Sequence, residues 1–248
     1  MTSARFITRN SGVAIWRQIA DQIRSDITVG KMPSGTKLPP EITLAERFSV
    51  NRHTIRSAIA ALTKEGVLRA EQGRGTFVAN SKKLIYRIGE RTRFSEILST
   101  QVRETKGILL GHRVEEPSEE VAGALGMTAG QVIRIDSMHT ADSNPVSCAT
   151  VWFEAARVPN IVEDYRASGS ITAALKAAGI DDYLRKSTII AARHADAEDL
   201  RHLRLSPGAI VLVSTAINID MNGHPIEYAK SRFAADRMEI AIDGRSMS

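Results

Sequence analysis

The chain has 248 residues, of which 43% are hydrophobic and 25% charged, and this composition is typical of one large or two small globular domains. Its apolar runs are far shorter than the roughly 20 residues of a membrane-spanning helix, and its N-terminus lacks the apolar segment of a secretory signal. The single Cys148 cannot form an internal disulfide and is expected to be a small core residue. These features predict a soluble, cytoplasmic protein.

The net charge of +5 is unevenly distributed along the chain. Residues 1–80 contain twelve Lys and Arg against six Asp and Glu, whereas the remaining residues have a net charge of −1. A basic segment joined to a neutral one favours a module that binds a polyanion. A solvated basic surface would give the same count.

The basic segment begins with two predicted helices. Isoleucines at positions 15, 19, 23 and 27 form one apolar stripe on a first helix, which Gly30 can end. Residues 33–40 are rich in Pro and Gly and predict a loop. A short second helix is predicted over 41–48.

A third helix is predicted from Arg52, because Asn51 is a good N-cap. Its polar face begins in the first turn, with Arg52, His53 and Arg56. The backbone dipole disfavours cations in a first turn, so these arginines indicate an anionic partner.

Two short strands are predicted over 67–71 and 76–79, joined by a turn that contains Gly73, Arg74 and Gly75. Glycine lets the backbone approach a phosphate closely and Arg74 supplies charge, although Gly-Arg-Gly alone is also an ordinary turn. Helices followed by a basic hairpin describe a winged helix-turn-helix, whose recognition helix enters the major groove of DNA.

Four motifs resemble the DNA-binding domain of GntR-type bacterial transcription regulators. They are KLPPE (37–41), LAERF (44–48), VNRHTIR (50–56) and QGRGTFV (72–78). The resemblance covers nearly all of residues 14–79 and implies double-stranded operator DNA as a partner. The DNA contacts that we predict are Arg52, His53, Thr54, Arg56, Gly73 and Arg74. The chain departs from the family at Ile42, where an arginine contact is usual, and at His53, where a small hydroxyl residue is common.

The second part of the chain contains an internal repeat. Residues 119–133 parallel residues 197–211 at an offset of 78, and each block predicts a short helix, a glycine turn and a strand that returns as a second strand. Further helices are predicted over 95–103 and 170–178, with strands near 107–114, 184–193 and 236–242. We therefore predict two helix-plus-hairpin halves whose strands join one largely antiparallel sheet with helices packed on it, an α+β arrangement.

This region resembles the UTRA effector-binding domain of the HutC subfamily of GntR regulators, which shares its fold with chorismate lyase. Besides the repeat, the resemblance rests on TRFS (92–95), PIEY (225–228), SR (231–232) and DR (236–237). We predict a winged helix-turn-helix domain over 1–80, a linker over 81–90 with a hinge near 81–84, and a UTRA domain over 91–248. Within the subfamily, the sequence most resembles regulators of phosphonate utilisation.

A ligand pocket is predicted in the UTRA domain. Ser95 is expected to cap a helix whose N-terminus, with Arg93 beside it, would bind an anion. In the HutC subfamily, arginines of the first repeat's strand bind the acidic group of the effector, and here Ser137 and His139 occupy those places. The effector contacts that we predict are Arg93, Phe94, Ser95, Ser137, His139, Glu227 and Tyr228. The effector is expected to be a small phosphorylated or carboxylated metabolite, a phosphonate among them.

Some of these residues have structural alternatives. Arg134 and His139 are five positions apart on one strand, so they face opposite sides of it, and Arg134 would serve as well in an ion pair with a surface carboxylate. Tyr228 would serve as a core aromatic residue and Glu227 as an exposed strand residue.

We recognise no catalytic, metal-binding or cofactor motif in the sequence. The prediction is a ligand-responsive transcription regulator, a repressor, that binds a near-palindromic operator as a homodimer, because one helix reads only a few base pairs. The alternatives are a chorismate-lyase-like enzyme with a DNA-binding appendage, a HutC-type regulator of amino-sugar or histidine catabolism, and a nonspecific nucleoid protein.

Overall fold

A computed structural model describes residues 13–71, 73–79, 83–205 and 207–242. The chain forms two compact units, Met1–Lys82 and Lys83–Ser248. Within the described ranges, no helix is long and apolar enough to span a membrane.

The first unit is a three-helix cluster followed by a hairpin. Its elements are α1 (Ile15–Thr28), α2 (Glu41–Phe48), α3 (Arg52–Lys64), β1 (Leu68–Glu71) and β2 (Gly75–Val78). The predicted isoleucine stripe of α1 faces inward, where Ile19 and Ile23 are buried against Ile55 and Leu62 of α3. Ser49 adopts a left-handed conformation with φ 51°, which turns the chain sharply from α2 into α3. This is the predicted winged helix-turn-helix.

The second unit is built on a six-stranded antiparallel sheet with the order β4-β5-β6-β9-β8-β7. Its strands and helices are β3 (Leu84–Ile88), α4 (Phe94–Ser99), β4 (Thr105–Glu115), α5 (Glu119–Leu125), β5 (Val132–Ala141), β6 (Asn144–Glu154), α6 (Ile161–Ser168), α7 (Ile171–Ala177), β7 (Leu184–His194), α8 (Ala197–His202), β8 (Ile210–Ile219), β9 (Pro225–Ala234) and β10 (Met238–Ile242).

The predicted repeat organises this sheet. The first half contributes β4, α5, β5 and β6, and the second half contributes β7, α8, β8 and β9, so that β6 and β9 pair at the centre. Helices α6 and α7 pack against one face, in a core that includes Ile135, Phe153 and Tyr165. Helix α5 packs against Trp152 and Tyr228 on the opposite face. The predicted α+β fold is confirmed.

The structure differs from the predicted linker 81–90. Residues 84–88 form strand β3, which pairs in parallel with β10, and Tyr86 and Ile88 are buried. The segment therefore belongs to the second unit, because its alternating apolar residues find a partner strand about 150 residues further along the chain. Positions 81 and 82 of the predicted hinge lie outside the described residues. Helix α4 is also shorter than predicted and ends at Ser99.

Candidate functional site

The start of α3 is the predicted DNA-reading surface. Asn51 caps the helix as expected, because its Oδ1 accepts hydrogen bonds from the Thr54 main-chain N at 2.8 Å and from the Thr54 hydroxyl at 2.9 Å. His53 is exposed. Arg52 and Arg56 are also exposed, with 62% and 61% of each side chain accessible. The side chains of Arg52, His53 and Arg56 are therefore exposed to a partner, whereas the hydroxyl of Thr54 is engaged by the cap.

Both arginines face a carboxylate that the sequence analysis did not single out. Arg56 donates to Glu41 through Nε at 3.2 Å and through Nη2 at 3.0 Å, and Arg52 Nη2 lies 3.8 Å from the same carboxylate. The paired hydrogen bonds from Arg56 hold the pKa of Glu41 below its usual value. Glu41 begins α2, so the helix-turn-helix geometry itself brings it to α3.

The wing presents its predicted residues at a tight turn. Gly73 has φ 72°, a conformation that favours glycine, and Arg74 follows with 75% of its side chain exposed. Arg74 pairs with Glu71 at 2.7 Å, and Arg69 pairs with the other oxygen of the same carboxylate at 2.8 Å. The hairpin thus carries two cations beside one anion.

A cavity of about 80 Å³ lies in the second unit between the sheet and its flanking helices. Polar groups that line it are mostly hydroxyls, from Tyr86, Thr92, Ser95, Ser137, Ser147, Thr172, Tyr183, Ser214 and Ser231. Among the described residues that line it, Arg185 is the only Lys or Arg and Glu227 the only carboxylate. The cavity therefore offers one basic and one acidic side chain to a ligand.

The carboxylate of Glu227 is buried and accepts a hydrogen bond from Asn218 Nδ2 at 2.7 Å. Burial raises the pKa of Glu227, and the nearby Arg185 guanidinium and the bond from Asn218 oppose that rise. Arg185 Nη2 donates to the Tyr86 hydroxyl at 3.3 Å, whereas its Nε is buried without a hydrogen-bond partner among the described residues. An unpaired buried donor on a guanidinium is suited to an anionic ligand.

His139 is a further titratable group of the cavity. It is buried, its ring meets Phe94 edge-on with centroids 5.2 Å apart, and it forms a hydrogen bond with the main chain of Gly169. Burial lowers the pKa of His139 to about 4, so the imidazole is neutral near pH 7. Its Nδ1 has no partner within the described part of the chain and can accept a hydrogen bond from a ligand.

The structure brings five of the seven predicted effector residues to this cavity: Phe94, Ser95, Ser137, His139 and Glu227. The predicted helix cap is wrong, because α4 begins at Phe94, after Arg93, and no side chain caps it. Ser95 lies inside the helix, and its hydroxyl is 2.9 Å from that of Ser170.

Arg93 and Tyr228 do not line the cavity, contrary to prediction. Arg93 donates to Asp182 at 2.6 Å and to the Tyr183 carbonyl at 3.0 Å, and its guanidinium stacks on the Tyr183 ring. Tyr228 points to the opposite face of the sheet, where it stacks on Trp152 and donates to Glu120 at 2.6 Å. Adjacent strand residues face opposite sides, so Glu227 and Tyr228 cannot both enter one cavity.

Other residues have roles that the sequence left open or did not reveal. Arg134 forms an ion pair with Asp136 at 2.9 Å, which is the structural role that the sequence analysis left open for it. Arg185 was missed, although two adjacent cations, Arg185 and Lys186, indicate that one of them faces the inner side of a strand. No sequence pattern indicated that Asn218 lines the cavity.

Among the described residues, no group of three or more His, Cys, Asp or Glu side chains is placed to hold a metal ion.

Comparison with known proteins assigns each of the two units to a known family. Residues 16–78 match the family of bacterial regulatory proteins, gntR family, and residues 100–239 match the UTRA domain. An uncharacterized HTH-type transcriptional regulator of Rhizobium meliloti, RB1450, is 47% identical over 241 residues, covering 97% of this chain and 99% of that protein.

More distant relatives cover similar lengths. The HTH-type transcriptional repressor NagR of Bacillus subtilis is 26% identical, over 93% of this chain and 95% of its own. The probable transcriptional regulator PhnF of Escherichia coli is 29% identical, over 84% and 87%. The crystal structure of PhnF from Mycobacterium smegmatis shares the fold, with a TM-score of 0.60, 24% identity, and coverage of 92% of this chain and 97% of that one. This chain therefore belongs to the GntR family of bacterial transcription regulators, as a HutC-type member with a UTRA domain, and it is a regulator and not an enzyme.

Proposed function

We propose that this regulator is a cytoplasmic repressor whose homodimer binds a near-palindromic operator and releases it when a small acid enters the cavity of the second unit. The observation that carries the proposal is the pair of opposite charges, Arg185 and Glu227, in a cavity otherwise lined by hydroxyl and apolar groups. Two relatives are named as repressors, NagR and the mannosyl-D-glycerate transport/metabolism system repressor MngR of Escherichia coli, and these names support the sign of regulation. The dimer is proposed because one recognition helix reads only a few base pairs, and two half-sites read by a two-fold protein supply the affinity and specificity that repression needs.

The charges define the chemical class of the ligand. Arg185 has a free buried donor and holds the acidic group by charge-assisted hydrogen bonds. Glu227 accepts from an ammonium or hydroxyl group at the other end of the ligand, and the Nδ1 of His139 supplies a further acceptor. A compact molecule with an acidic end and an amine or hydroxyl end satisfies all of these groups.

The size of the cavity favours a phosphonate or another small organophosphorus acid. Its enclosed space of about 80 Å³ favours a compact ligand. An acid with two or three carbon atoms needs less rearrangement than a phosphorylated sugar. We therefore assign the regulator to phosphonate or organophosphorus uptake and metabolism in preference to amino-sugar catabolism.

Release of DNA by such a ligand has a thermodynamic requirement. The ligand must prefer one state of the protein, with a coupling of about 1 to 3 kcal/mol, and the coupling is reciprocal. Operator DNA therefore weakens ligand binding by the same factor by which the ligand weakens operator binding.

The test measures melting temperature and the anisotropy of a labelled promoter fragment with four probes: 2-aminoethylphosphonate, a carboxylate of the same length, glucosamine 6-phosphate and inorganic phosphate. We expect the aminophosphonate to raise the melting temperature most and to release DNA. Arg185→Met abolishes both effects, whereas Lys186→Met, which removes an exposed charge from the same strand, leaves them unchanged. A larger effect of the phosphorylated sugar, or full response of Arg185→Met, contradicts the proposed ligand class.

A further inference from the structure

An acidic residue lies on the predicted DNA-reading surface. Glu41 is the first residue of α2, and its carboxylate contacts Arg56 and, at longer range, Arg52. A carboxylate at such a surface repels phosphates and weakens binding to every DNA sequence. Its presence between the two arginines of the recognition helix therefore calls for a role in specificity.

The hydrogen bonds fix which edge of the Arg56 guanidinium is occupied. Glu41 accepts from Nε and from one N–H of Nη2, at 3.2 and 3.0 Å. A guanidinium has five N–H donors in one plane, so both donors of Nη1 and the second donor of Nη2 stay free. These outer donors form the edge that binds guanine O6 and N7 in the major groove. The carboxylate thus holds the inner edge and leaves the base-reading edge exposed.

Fixing the orientation also changes what the arginine can do elsewhere. A free arginine side chain samples many rotamers and can pair with any phosphate through its Nε and Nη2 edge. In this chain Glu41 occupies that edge, so a phosphate can pair with Arg56 only through the outer donors, whose direction the carboxylate fixes. Base contacts keep their geometry and require less ordering of the side chain on binding.

We propose that Glu41 is a positioning residue for base readout, which holds Arg56 toward a guanine in each operator half-site and restricts its contacts with phosphates to those outer donors. The proposal rests on α3 entering the major groove. It concerns the ratio of affinities for correct and incorrect DNA, which Glu41 raises at the expense of total affinity.

The test uses the promoter fragment that the protein protects from cleavage, with each guanine replaced in turn, and a scrambled duplex of equal length. Glu41→Gln removes the charge and weakens the grip on Arg56. Glu41→Asp keeps the charge and shortens the reach to Arg56. Glu46→Gln, an exposed acid on the same helix, is the control for charge alone.

The wild type and Glu46→Gln should lose about tenfold or more in affinity when the guanine that Arg56 reads is replaced. Glu41→Gln and Glu41→Asp should lose most of that discrimination, and Glu41→Gln should bind the scrambled duplex several-fold more tightly. Retained discrimination at every guanine in both Glu41 variants overturns the proposal. Arg56→Ala shows whether a negative result concerns Glu41 or the recognition helix as a whole. Unchanged operator affinity in that variant refutes the assignment of α3 to the major groove.

Discussion

The neutral, buried His139 predicts an acid-dependent loss of stability in the second unit. Burial lowers its pKa in the folded protein to about 4, while the unfolded chain protonates this residue near 6.5. Between these two values the unfolded state binds more protons than the folded state. The free energy of unfolding must therefore fall as pH is lowered through this window. Above pH 6.5 the imidazole is neutral in both states, and His139 then costs no stability.

The size of the effect follows from the width of the window. Each pH unit in which only the unfolded state is protonated corresponds to about 1.4 kcal/mol. Between pH 6.5 and about 4, His139 thus removes about 3 kcal/mol from the stability of the second unit. That is a large fraction of the roughly 5 to 15 kcal/mol that holds an ordinary domain together.

The measurement is urea unfolding of wild type and His139→Gln at pH 7, 6, 5 and 4.5. Glutamine keeps an N–H donor for the main chain of Gly169 but does not titrate. Relative to this variant, the wild type should lose stability steadily below pH 6.5. His194→Gln, which changes an exposed histidine at the end of β7, should follow the wild type. Parallel pH profiles for wild type and His139→Gln would show that the imidazole titrates normally, and the reasoning from burial would be wrong.

Three further predictions concern DNA contacts and packing. Arg52→Ala should weaken operator binding roughly 5- to 150-fold with unchanged melting, measured by anisotropy, since its exposed side chain is expected to reach a base edge; equal weakening on scrambled DNA would make it a phosphate contact. Arg74→Ala should weaken binding to all sequences and reduce the slope of log affinity against log salt by about one charge; a loss confined to particular bases would assign base readout to the wing. Gly107→Ala should destabilise the second unit by about 1 to 3 kcal/mol in urea unfolding, because its Cβ would lie 1.9 Å from the Gly169 carbonyl oxygen. The control Gly111→Ala, on the same strand, meets no atom within 4 Å and should be close to neutral. Equal stability of the two variants would contradict this packing.

Periodicity and the repeat predicted most of the fold, because both depend on residues that are close in sequence. The isoleucine stripe of α1 and the cap at Asn51 are local features, and both halves of the sheet follow from one pattern repeated at an offset of 78. Strand β3 escaped prediction for the opposite reason. Its partner, β10, is about 150 residues away, and no local pattern in a five-residue segment indicates that pairing.

The same distinction explains the candidate site. The resemblance to the HutC subfamily assigned Ser137 and His139 to the pocket, and both line the cavity because residues two positions apart on a strand face the same side. The prediction that Tyr228 lines the cavity beside Glu227 was wrong, because it did not take into account that adjacent strand residues face opposite sides. Arg93 was misplaced because its partner, Asp182, is remote in sequence and satisfies the charge that an anion was expected to meet.

The opposite charges of the cavity also determine which acids the proposed repressor ignores. Inorganic phosphate carries anionic oxygens on every side, so any orientation that contacts Arg185 also turns negative charge toward the buried Glu227 carboxylate, and like charges in a buried site disfavour each other's ionisation. A ligand with an ammonium or hydroxyl group at its far end donates to that carboxylate instead. Polar groups built for such a donor reject an analogue that lacks it, because they are left buried and unpaired. For the proposed ligand class, we therefore expect Arg185 to supply affinity for acids in general and Glu227 to supply selectivity, with a response to an intact organic acid and none to inorganic phosphate.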